Sequence, residues 1–323
     1  MKRFAVALIA PLVAILLAWP AAAQEWPAKQ PVKIIAPFGP GSTPDMVARL
    51  IADYLQHKFG QAFIVENRAG ASGNRGTDAV AKAEPDGYTI GVSIGGPLGV
   101  NAVLFGNLPY DPAKDFALVT LLVTQPSALA VNTALGVNSV SELIDLLKKN
   151  PGKYNYGSIG NGSLSQLAME AIGLASGTQM VHVPYNSSPA AVTALIQNDV
   201  QVACLPAISL TPLVGTKPIK ILAISTAQRS ALLPGIPTLK ESGIDVEAEA
   251  WSGLIAPAKT PEPILDKLRA AVTEALESPA IKEKLATQLM EPIPSTPAQF
   301  RARIDADLAR WTRVIRDAHI QVN

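Results

Sequence analysis

The sequence predicts an α/β fold built around mostly parallel sheets. Apolar segments of strand length alternate with segments of helical periodicity along nearly the whole chain. Several helical segments also begin with a hydroxyl residue and a proline, or with a capping box. Strands that alternate with helices at these lengths form βαβ units, whose strands run parallel.

Each element is predicted in turn from its apolar pattern. The predicted strands are VKIIA (32–36), IVE (64–66), YTIGVS (88–93), ALVTLLVT (117–124), SALAVN (127–132), YNYGS (154–158), MVHV (180–183), VQVACL (200–205) and IKILAIS (219–225). The predicted helices are 44–59, 75–83, 140–149, 164–176, 189–197, 261–277, 279–288 and 297–318. The sequence shows no internal repeat and no low-complexity linker.

The starts of four helices are well marked. Thr43-Pro44 and Ser188-Pro189 each offer a capping hydroxyl before a proline at the first helical position. Ser139 with Glu142, and Ser163 with Gln166, form the spacing of a capping box. In the first helix Val47, Leu50, Ile51, Tyr54 and Leu55 fall on one face. Asp45 and Arg49, four residues apart, are therefore expected on the exposed side.

The N-terminus has the pattern of a secretory signal peptide. Lys2 and Arg3 precede an apolar run from Phe4 to Trp19, and Ala21-Ala22-Ala23 supplies small residues at a cleavage site. The run is short for a membrane anchor, which is the alternative. We expect residues 1–23 to be removed near Ala23 and the protein to be exported.

Composition excludes several classes of partner. Cleavage leaves 300 of the 323 residues, which suggests two domains of ordinary size. Without Lys2 and Arg3, 25 basic residues balance 26 acidic ones, so neither nucleic acid nor an anionic membrane is expected as a partner. The single cysteine, Cys204, cannot form an internal disulfide and lies in an apolar strand, where a thiol acts as a small hydrophobe.

Three turns between a strand and a helix are suited to an anion. They are Gly39-Pro40-Gly41-Ser42, Gly160-Asn161-Gly162-Ser163 and Asn186-Ser187-Ser188. Glycine allows close approach to the backbone, and free N–H groups at a helix N-terminus favour negative charge. Each turn alone is weak evidence, because glycine and serine are ordinary turn residues. Together, in two halves of one chain, they predict an anion site at the carboxyl ends of the strands.

The anion is better interpreted as a carboxylate than as a phosphate. The sequence contains no G-x-x-x-x-G-K-[ST] motif, and no lysine follows any of the three turns. The first turn also lacks the third glycine of a dinucleotide fingerprint. A carboxylate needs only a few donors and no cationic clamp.

The alternative that the chain is an enzyme depends on Ser93. GVSIG (91–95) matches the G-x-S-x-G elbow of α/β-hydrolases, but Gly96-Pro97 is a poor continuation for that turn. His57 stands in the wrong order, and His182 and His319 are poor candidates for a base. With three dispersed histidines and one cysteine, no metal site is expected. We predict no catalytic residue and no cofactor.

Longer motifs in the chain resemble a known family. They are VKIIAPFGPGSTPDMVARLIADYL, IVENRAGASGNRGTDAVAKAEPDGYT, LPYDPAKDF, VHVPYNSSPAAVTALI and RSALLPGIPTLKESG followed by AWSGLIAPAKTP. In this order they resemble the Bug family, the TctC-like periplasmic solute receptors of tripartite tricarboxylate transporters. The resemblance runs from about Pro31 to the C-terminal helix.

The resemblance implies a type II periplasmic-binding-protein fold, in which two lobes are joined by two crossing strands and the ligand lies between them. The crossings are expected near SALAVN and WSGLIAP, which gives a first lobe of 24–128 plus 253–323 and a second lobe of 129–252. In this family, backbone amides, small hydroxyls and bridging waters typically hold a carboxylate. The positions implied for ligand binding are Phe38, Gly39, Gly41, Ser42, Thr43, Ser93, Gly95, Gly96, Ser158, Gly160, Gly162, Ser163, Tyr185, Asn186, Ser187 and Leu205.

Departures from the family pattern narrow the expected ligand. Asn186 stands where a basic residue is common, Gln166 where a histidine is common, and Leu205 where receptors for amino acids often carry an acid. Ser42 and Pro44 also replace the usual glycine and threonine of the first turn. An ammonium group or a third carboxylate would be desolvated without a partner. We expect one or two carboxylates on an apolar spacer, aliphatic or aromatic, with Phe38 and Trp251 nearby.

The leading interpretation is a monomeric receptor that delivers this ligand to the permease subunits of a transporter. A ligand sensor for a membrane kinase would need the same binding site and a different docking partner. An exported serine hydrolase using Ser93 is the enzyme alternative.

Overall fold

The computed structural model describes residues 25–321, and the structural statements below concern that part of the chain. The predicted signal peptide and its cleavage near Ala23 lie outside these residues. Strands and helices alternate as predicted, which confirms the α/β class. Between residues 25 and 321, no helix combines the length and the apolar character needed to cross a membrane.

The predicted elements are present with their bounds shifted by a few residues. The strands are β1 (Val32–Ala36), β2 (Phe63–Asn67), β3 (Thr89–Ile94), β4 (Phe116–Gln125), β5 (Ser127–Asn132), β6 (Asn155–Ser158), β7 (Val181–Pro184), β8 (Val202–Pro206), β9 (Ile219–Ile224), β10 (Ala250–Pro257) and β11 (Glu291–Pro292). The helices are α1 (Thr43–Phe59), α2 (Asn74–Ala81), α3 (Asn101–Leu104), α4 (Val140–Lys149), α5 (Leu164–Ser176), α6 (Ser188–Gln197), α7 (Glu262–Glu277), α8 (Pro279–Ala286) and α9 (Pro297–Asp317). A π-helical turn over Gly96–Val100 leads into α3, and neither of these short elements was predicted.

The strands form two mixed sheets, and in each sheet most strands run in one direction, as expected. Sheet A has the order β11-β4-β10-β3-β1-β2, in which β1, β2 and β3 are parallel and β10 is antiparallel to both β3 and β4. Sheet B has the order β7-β6-β8-β5-β9, in which β6, β7 and β8 are parallel and β5 is antiparallel to β8 and β9. The parallel strands are the ones joined by helices. Strand β5 follows a strand of sheet A, and β10 follows a strand of sheet B, so the chain changes sheets just before each of them. No helical crossover within one sheet precedes β5 or β10, so neither has to run parallel to its neighbours.

The first passage between the sheets brings their carboxyl edges together. Strand β4 runs in the same direction as β1 to β3, so Gln125 ends at the edge where those strands end. Ser127 pairs with Pro206, so β5 begins at the edge where β8 ends. Only Pro126 separates the two strands, so the Cα atoms of Gln125 and Ser127 are no more than about 7.6 Å apart, given 3.8 Å between consecutive Cα atoms.

The second passage lies beside the first. The chain leaves sheet B after Ile224 and enters sheet A at Ala250. The hydroxyl of Ser225 donates to the carbonyl of Ser127 at 3.1 Å and to that of Ala248 at 2.7 Å. The predicted crossing segments SALAVN and WSGLIAP are thus β5 and β10, each beginning directly after a passage. The lobe boundaries at 128/129 and 252/253 stay a prediction.

Helices cover both faces of both sheets. Apolar residues of α1 and α7, among them Ile51 and Leu268, pack on one face of sheet A. In sheet B, Cys204 faces the core shared with α4 and α5, whereas the next residue, Leu205, faces α6. This alternation is the two-residue period of a strand buried on both faces.

Helix α9 contacts the cores of both sheets. Phe300 and Ile304 pack in a cluster with residues of sheet A, and Trp311 and Val314 pack in the cluster that contains α4 and α5. Between these two segments, Asp307 is buried and accepts a hydrogen bond of 2.6 Å from the indole of Trp251. The C-terminal helix therefore also connects the two sheets, and its bond to Trp251 lies at the start of β10, beside the second passage.

Candidate functional site

The first turn, residues 38–43, lies at the carboxyl end of β1 and is held by a buried carboxylate. Asp45 is only 2% exposed, which corrects the expectation that it lies on the exposed side of α1. It accepts hydrogen bonds from the N–H of Gly41 at 2.9 Å, from Asn67 at 2.8 Å and from Arg49 at 3.1 Å. Burial acts to raise the pKa of Asp45, but these hydrogen bonds outweigh it and hold the pKa below its ordinary value. A charged Asp45 thus fixes the shape of the turn.

Two hydroxyl groups of this turn have different surroundings. The Oγ of Ser42 is buried and has no hydrogen-bond partner among the described residues, although Ser42 stands at the N-cap of α1. The hydroxyl of Thr43 donates to Gln125 at 3.2 Å, which joins the turn to the first passage. A buried polar atom without a partner is costly, so it marks a place where a ligand or a water is expected to bind.

Ser93 lies at the end of β3, beneath α2. Its side chain is 1% exposed, and its hydroxyl is 2.9 Å from that of Thr77 on α2. No histidine contacts it in the part of the chain that the structure describes. A serine nucleophile needs a base within hydrogen-bond reach, and this geometry does not provide one. A Cβ on Gly95 would lie 3.1 Å from the ring of Trp251, so the predicted aromatic neighbour packs against the turn after β3.

The second turn, residues 158–163, lies at the carboxyl end of β6 and is densely hydrogen-bonded. Ser163 caps α5 and also donates from its hydroxyl to the carbonyl of Gly160 at 2.6 Å. The N–H of Gly162 donates to the side-chain oxygen of Gln166 at 2.7 Å. Gly160 has φ of +122°, a backbone conformation that residues with a Cβ rarely adopt. Ser158 has no exposed surface, and its hydroxyl forms hydrogen bonds with the backbone of Gly160, so in this conformation it stabilises the turn.

His182 on β7 belongs to this turn, and sequence reasoning missed it. Its Nε2 lies 2.6 Å from the hydroxyl of Ser158, and its Nδ1 lies 3.2 Å from the amide nitrogen of Gln166. Burial lowers its pKa from the ordinary value. The sequence signal was present but not used: His182 and Ser158 each lie at the end of a predicted strand followed by an anion turn.

The third turn, residues 185–188, follows β7 and lies next to the second. The N–H of Tyr185 donates to the carbonyl of Ser158 at 2.9 Å, and Ser187 caps α6. Asn186 is exposed at the surface of the turn. Leu205 is fully buried and packs in the core under α6, so in this conformation it presents no open surface.

Burial raises the pKa of the Cys204 thiol to about 12, which leaves the thiol protonated and unreactive.

The predicted site residues thus form two groups. Those of the second and third turns contact one another at the edge of sheet B, and those of the first turn lie at the edge of sheet A, bonded to the first passage. Helices α1, α5 and α6 all begin at these edges, where the first N–H groups of a helix have no partner within the helix. Such an arrangement can bind an anion through neutral donors. Residues 25–321 contain no cluster of three or more potential metal-ligating side chains.

Residues 47–320 match the family described as tripartite tricarboxylate transporter family receptor, TctC. The chain belongs to this family. Its members are solute receptors and not enzymes, as the sequence analysis predicted. Protein BugT of Bordetella pertussis is 35% identical over 305 residues, which cover 93% of each chain. A protein encoded in the TAR-I ttuE-ttuC' intergenic region of Agrobacterium vitis is 34% identical, over 95% of this chain and 90% of its own length.

Solved structures agree with this membership. The protein Rpa4515 of R. palustris, solved with adipate, is 34% identical to this chain with a TM-score of 0.81, over 92% of this chain and 99% of its own. MatC of Rhodopseudomonas palustris, solved with bound malate, is 30% identical with a TM-score of 0.75, over 89% and 99%. The periplasmic binding protein BugD is 29% identical with a TM-score of 0.76, over 91% and 99%. The two-lobed binding-protein fold expected from the resemblance is therefore confirmed.

Proposed function

We propose that this chain is a periplasmic receptor for a small organic carboxylate, bound between the facing carboxyl edges of sheets A and B. The observation that carries the proposal is the convergence of three helix N-termini on these edges, with the buried hydroxyl of Ser42 left without a partner. Neutral donors of this kind stabilise one carboxylate without a lysine or arginine clamp. Relatives of similar fold have been solved with adipate and with malate, and both ligands are dicarboxylates.

The ligand is further proposed to carry one or two carboxylates on an apolar spacer. The side chains around the turns of sheet B are apolar or aromatic: Ile159 and Tyr185 are half-buried against the core that contains Leu205. On the side of sheet A, the ring of Phe38 packs against the turn at Gly73. The turns themselves carry no charged side chain, since residues 38–43, 158–163 and 185–188 contain no Asp, Glu, Lys or Arg. An ammonium group or a third carboxylate would lose its hydration there without gaining a partner.

The role in transport and the location follow from the family. The chain would be exported by the signal peptide at residues 1–23, bind its ligand as a monomer and deliver it to the permease subunits of a tripartite tricarboxylate-type transporter. These finer statements rest on the family match and on the N-terminal sequence pattern.

A thermal-shift screen tests the ligand class. Adipate, malate, an aromatic dicarboxylate, an aromatic monocarboxylate, citrate and glutamate are compared at equal concentration with the mature protein. A ligand at 100 times its dissociation constant stabilises the folded protein by about 2.7 kcal/mol. We expect the largest shift from a dicarboxylate with an apolar spacer. If citrate or glutamate gave the largest shift, the apolar-spacer argument would be wrong, and if no carboxylate gave a shift, the receptor proposal would be wrong.

A further inference from the structure

A chain of hydrogen bonds runs from His182 to the backbone of the second turn. The ring binds the hydroxyl of Ser158 through Nε2 at 2.6 Å and the amide of Gln166 through Nδ1 at 3.2 Å. The same Gln166 side chain accepts the N–H of Gly162 at 2.7 Å. The Ser158 hydroxyl lies 3.2 Å from both the N–H and the carbonyl of Gly160. Two points of the turn, Gly160 and Gly162, are therefore tied to one imidazole ring.

The direction of each hydrogen bond follows from the backbone. The N–H of Gly162 can only donate, so the atom of Gln166 that faces it must be the amide oxygen. The amide nitrogen then faces His182, and because this nitrogen only donates, Nδ1 must accept and carry no proton. The proton of the neutral ring is left on Nε2, which donates to Ser158.

The surroundings of the ring favour its neutral form. Tyr156 stacks on it with ring centroids 4.9 Å apart, and the half-buried ring has the neutral groups of Ser158 and Gln166 at its two nitrogens. The carboxylate in this network, Glu170 on α5, accepts a hydrogen bond from the hydroxyl of Tyr156. Among the described residues, no charged group forms a hydrogen bond or an ion pair with His182.

We propose that His182 is the positioning residue of the second turn and acts only as the neutral Nε2–H tautomer. A second proton, on Nδ1, would face the amide nitrogen of Gln166, so two donors would oppose each other. Rotation of the Gln166 amide would relieve this contact but would turn its NH2 group toward the N–H of Gly162. In either orientation of the Gln166 amide, protonation of His182 therefore disrupts a hydrogen bond, either between His182 and Gln166 or between Gln166 and the N–H of Gly162 in the second turn.

The consequence for ligand binding rests on the proposed function. If the second turn binds a carboxylate, its backbone donors are in place only while His182 is neutral. The affinity should then fall when His182 is protonated, by about tenfold for the loss of one hydrogen bond to a charged group.

Nuclear magnetic resonance of the free protein tests the hydrogen-bond chain without any ligand. Long-range 15N–1H spectra distinguish the two neutral tautomers and the charged ring, and the variant His182→Asn identifies the signals of His182 against those of the exposed His57 and His319. We expect the Nε2–H tautomer at pH 7.5, and an amide signal of Gly162 that shifts with the same midpoint as the His182 ring on acidification. An Nδ1–H tautomer, or a Gly162 amide that does not follow the ring, would overturn the proposal.

The variant Gln166→Glu adds a test that a purely structural role would not pass. A glutamate can still accept the N–H of Gly162, and its other oxygen can accept a proton on Nδ1, so the charged ring now fits. We expect the His182 midpoint to rise relative to that of the wild type. Measured with adipate as the probe, the ratio of wild-type to variant affinity should fall as pH is lowered from 7.5 to 5, and comparing the two proteins at each pH cancels the titration of adipate itself.

Gln179→Glu, on an exposed residue beyond the end of α5, is the control for the added charge and should keep the wild-type midpoint. An unchanged or lowered His182 midpoint in Gln166→Glu would contradict the proposal. If adipate and the other carboxylates failed to bind to any of these proteins, that result would count against the proposed function, while the tautomer and the Gly162 signal would still decide the role of His182.

Discussion

Replacing Ser42 with alanine should weaken ligand binding without destabilising the free protein. The Oγ of Ser42 is buried without a partner among the described residues, so its removal breaks no hydrogen bond within the described structure. Leaving such a group unsatisfied costs about 1–3 kcal/mol, so the free energy of unfolding of Ser42→Ala should stay equal or rise. If the hydroxyl donates to a bound carboxylate, its loss removes about 1.5–3 kcal/mol of binding free energy, or roughly ten- to a hundredfold in affinity. The two effects have opposite signs, which a general loss of structure would not produce.

The assay combines urea unfolding of the free protein with calorimetric titration of the best carboxylate from the screen. Thr260→Val is the matched control, because Thr260 is also a buried hydroxyl without a partner. Thr260 follows the end of β10, at the opposite edge of sheet A from the first turn. This control should leave the affinity unchanged. Equal affinities of Ser42→Ala and the wild type would refute the placement of the carboxylate at the first turn.

Three further predictions use other features of the structure. Small-angle scattering of the mature protein should show a smaller radius of gyration with the bound carboxylate, because only the closed form surrounds it with donors from both edges; an unchanged radius at saturation would contradict binding between the lobes. Gly41→Ala should lower the free energy of unfolding by about 1–2 kcal/mol, because Gly41 has φ of +80°. Gly39→Ala is the control, since Gly39 lies in the same turn and has no positive φ. Its free energy of unfolding, measured in urea, should be nearly that of the wild type. Because burial lowers the pKa of His182 below its ordinary 6.5, the unfolded state binds a proton before the folded state does, and stability should be lost as pH falls below 6.5. The wild type should therefore lose more stability between pH 7.5 and 5 than His182→Gln, and equal losses would show that His182 is not responsible.

Local signals in the sequence were sufficient for most of the helices and strands and for the positions of the three turns; that these turns bind an anion stays a prediction. Ser139 and Ser163 cap α4 and α5 as predicted. The N-caps of α1 and α6 are Ser42 and Ser187, each one residue before the predicted capping hydroxyl. Hydroxyl and glycine residues at the turns follow from local backbone geometry, which adjacent residues largely specify. Local reasoning failed for Asp45, which periodicity placed on the exposed side of α1. Its burial depends on Asn67, a residue of the next strand that no pattern within α1 can indicate.

The α/β class and the family membership could be read from the order of residues, because each depends on short segments whose chemistry is local. The direction of β5 and β10 could not be read from their own residues, because it depends on the passage of the chain from one sheet to the other. The family resemblance, and no local pattern, indicated where that passage lies. The hydrogen bonds among Ser158, Gln166 and His182 were likewise not predicted, because the strand ends place Ser158 and His182 near the turns but do not indicate which polar atoms meet. Such contacts join segments distant in sequence, and only packing in three dimensions brings their polar atoms within hydrogen-bond distance.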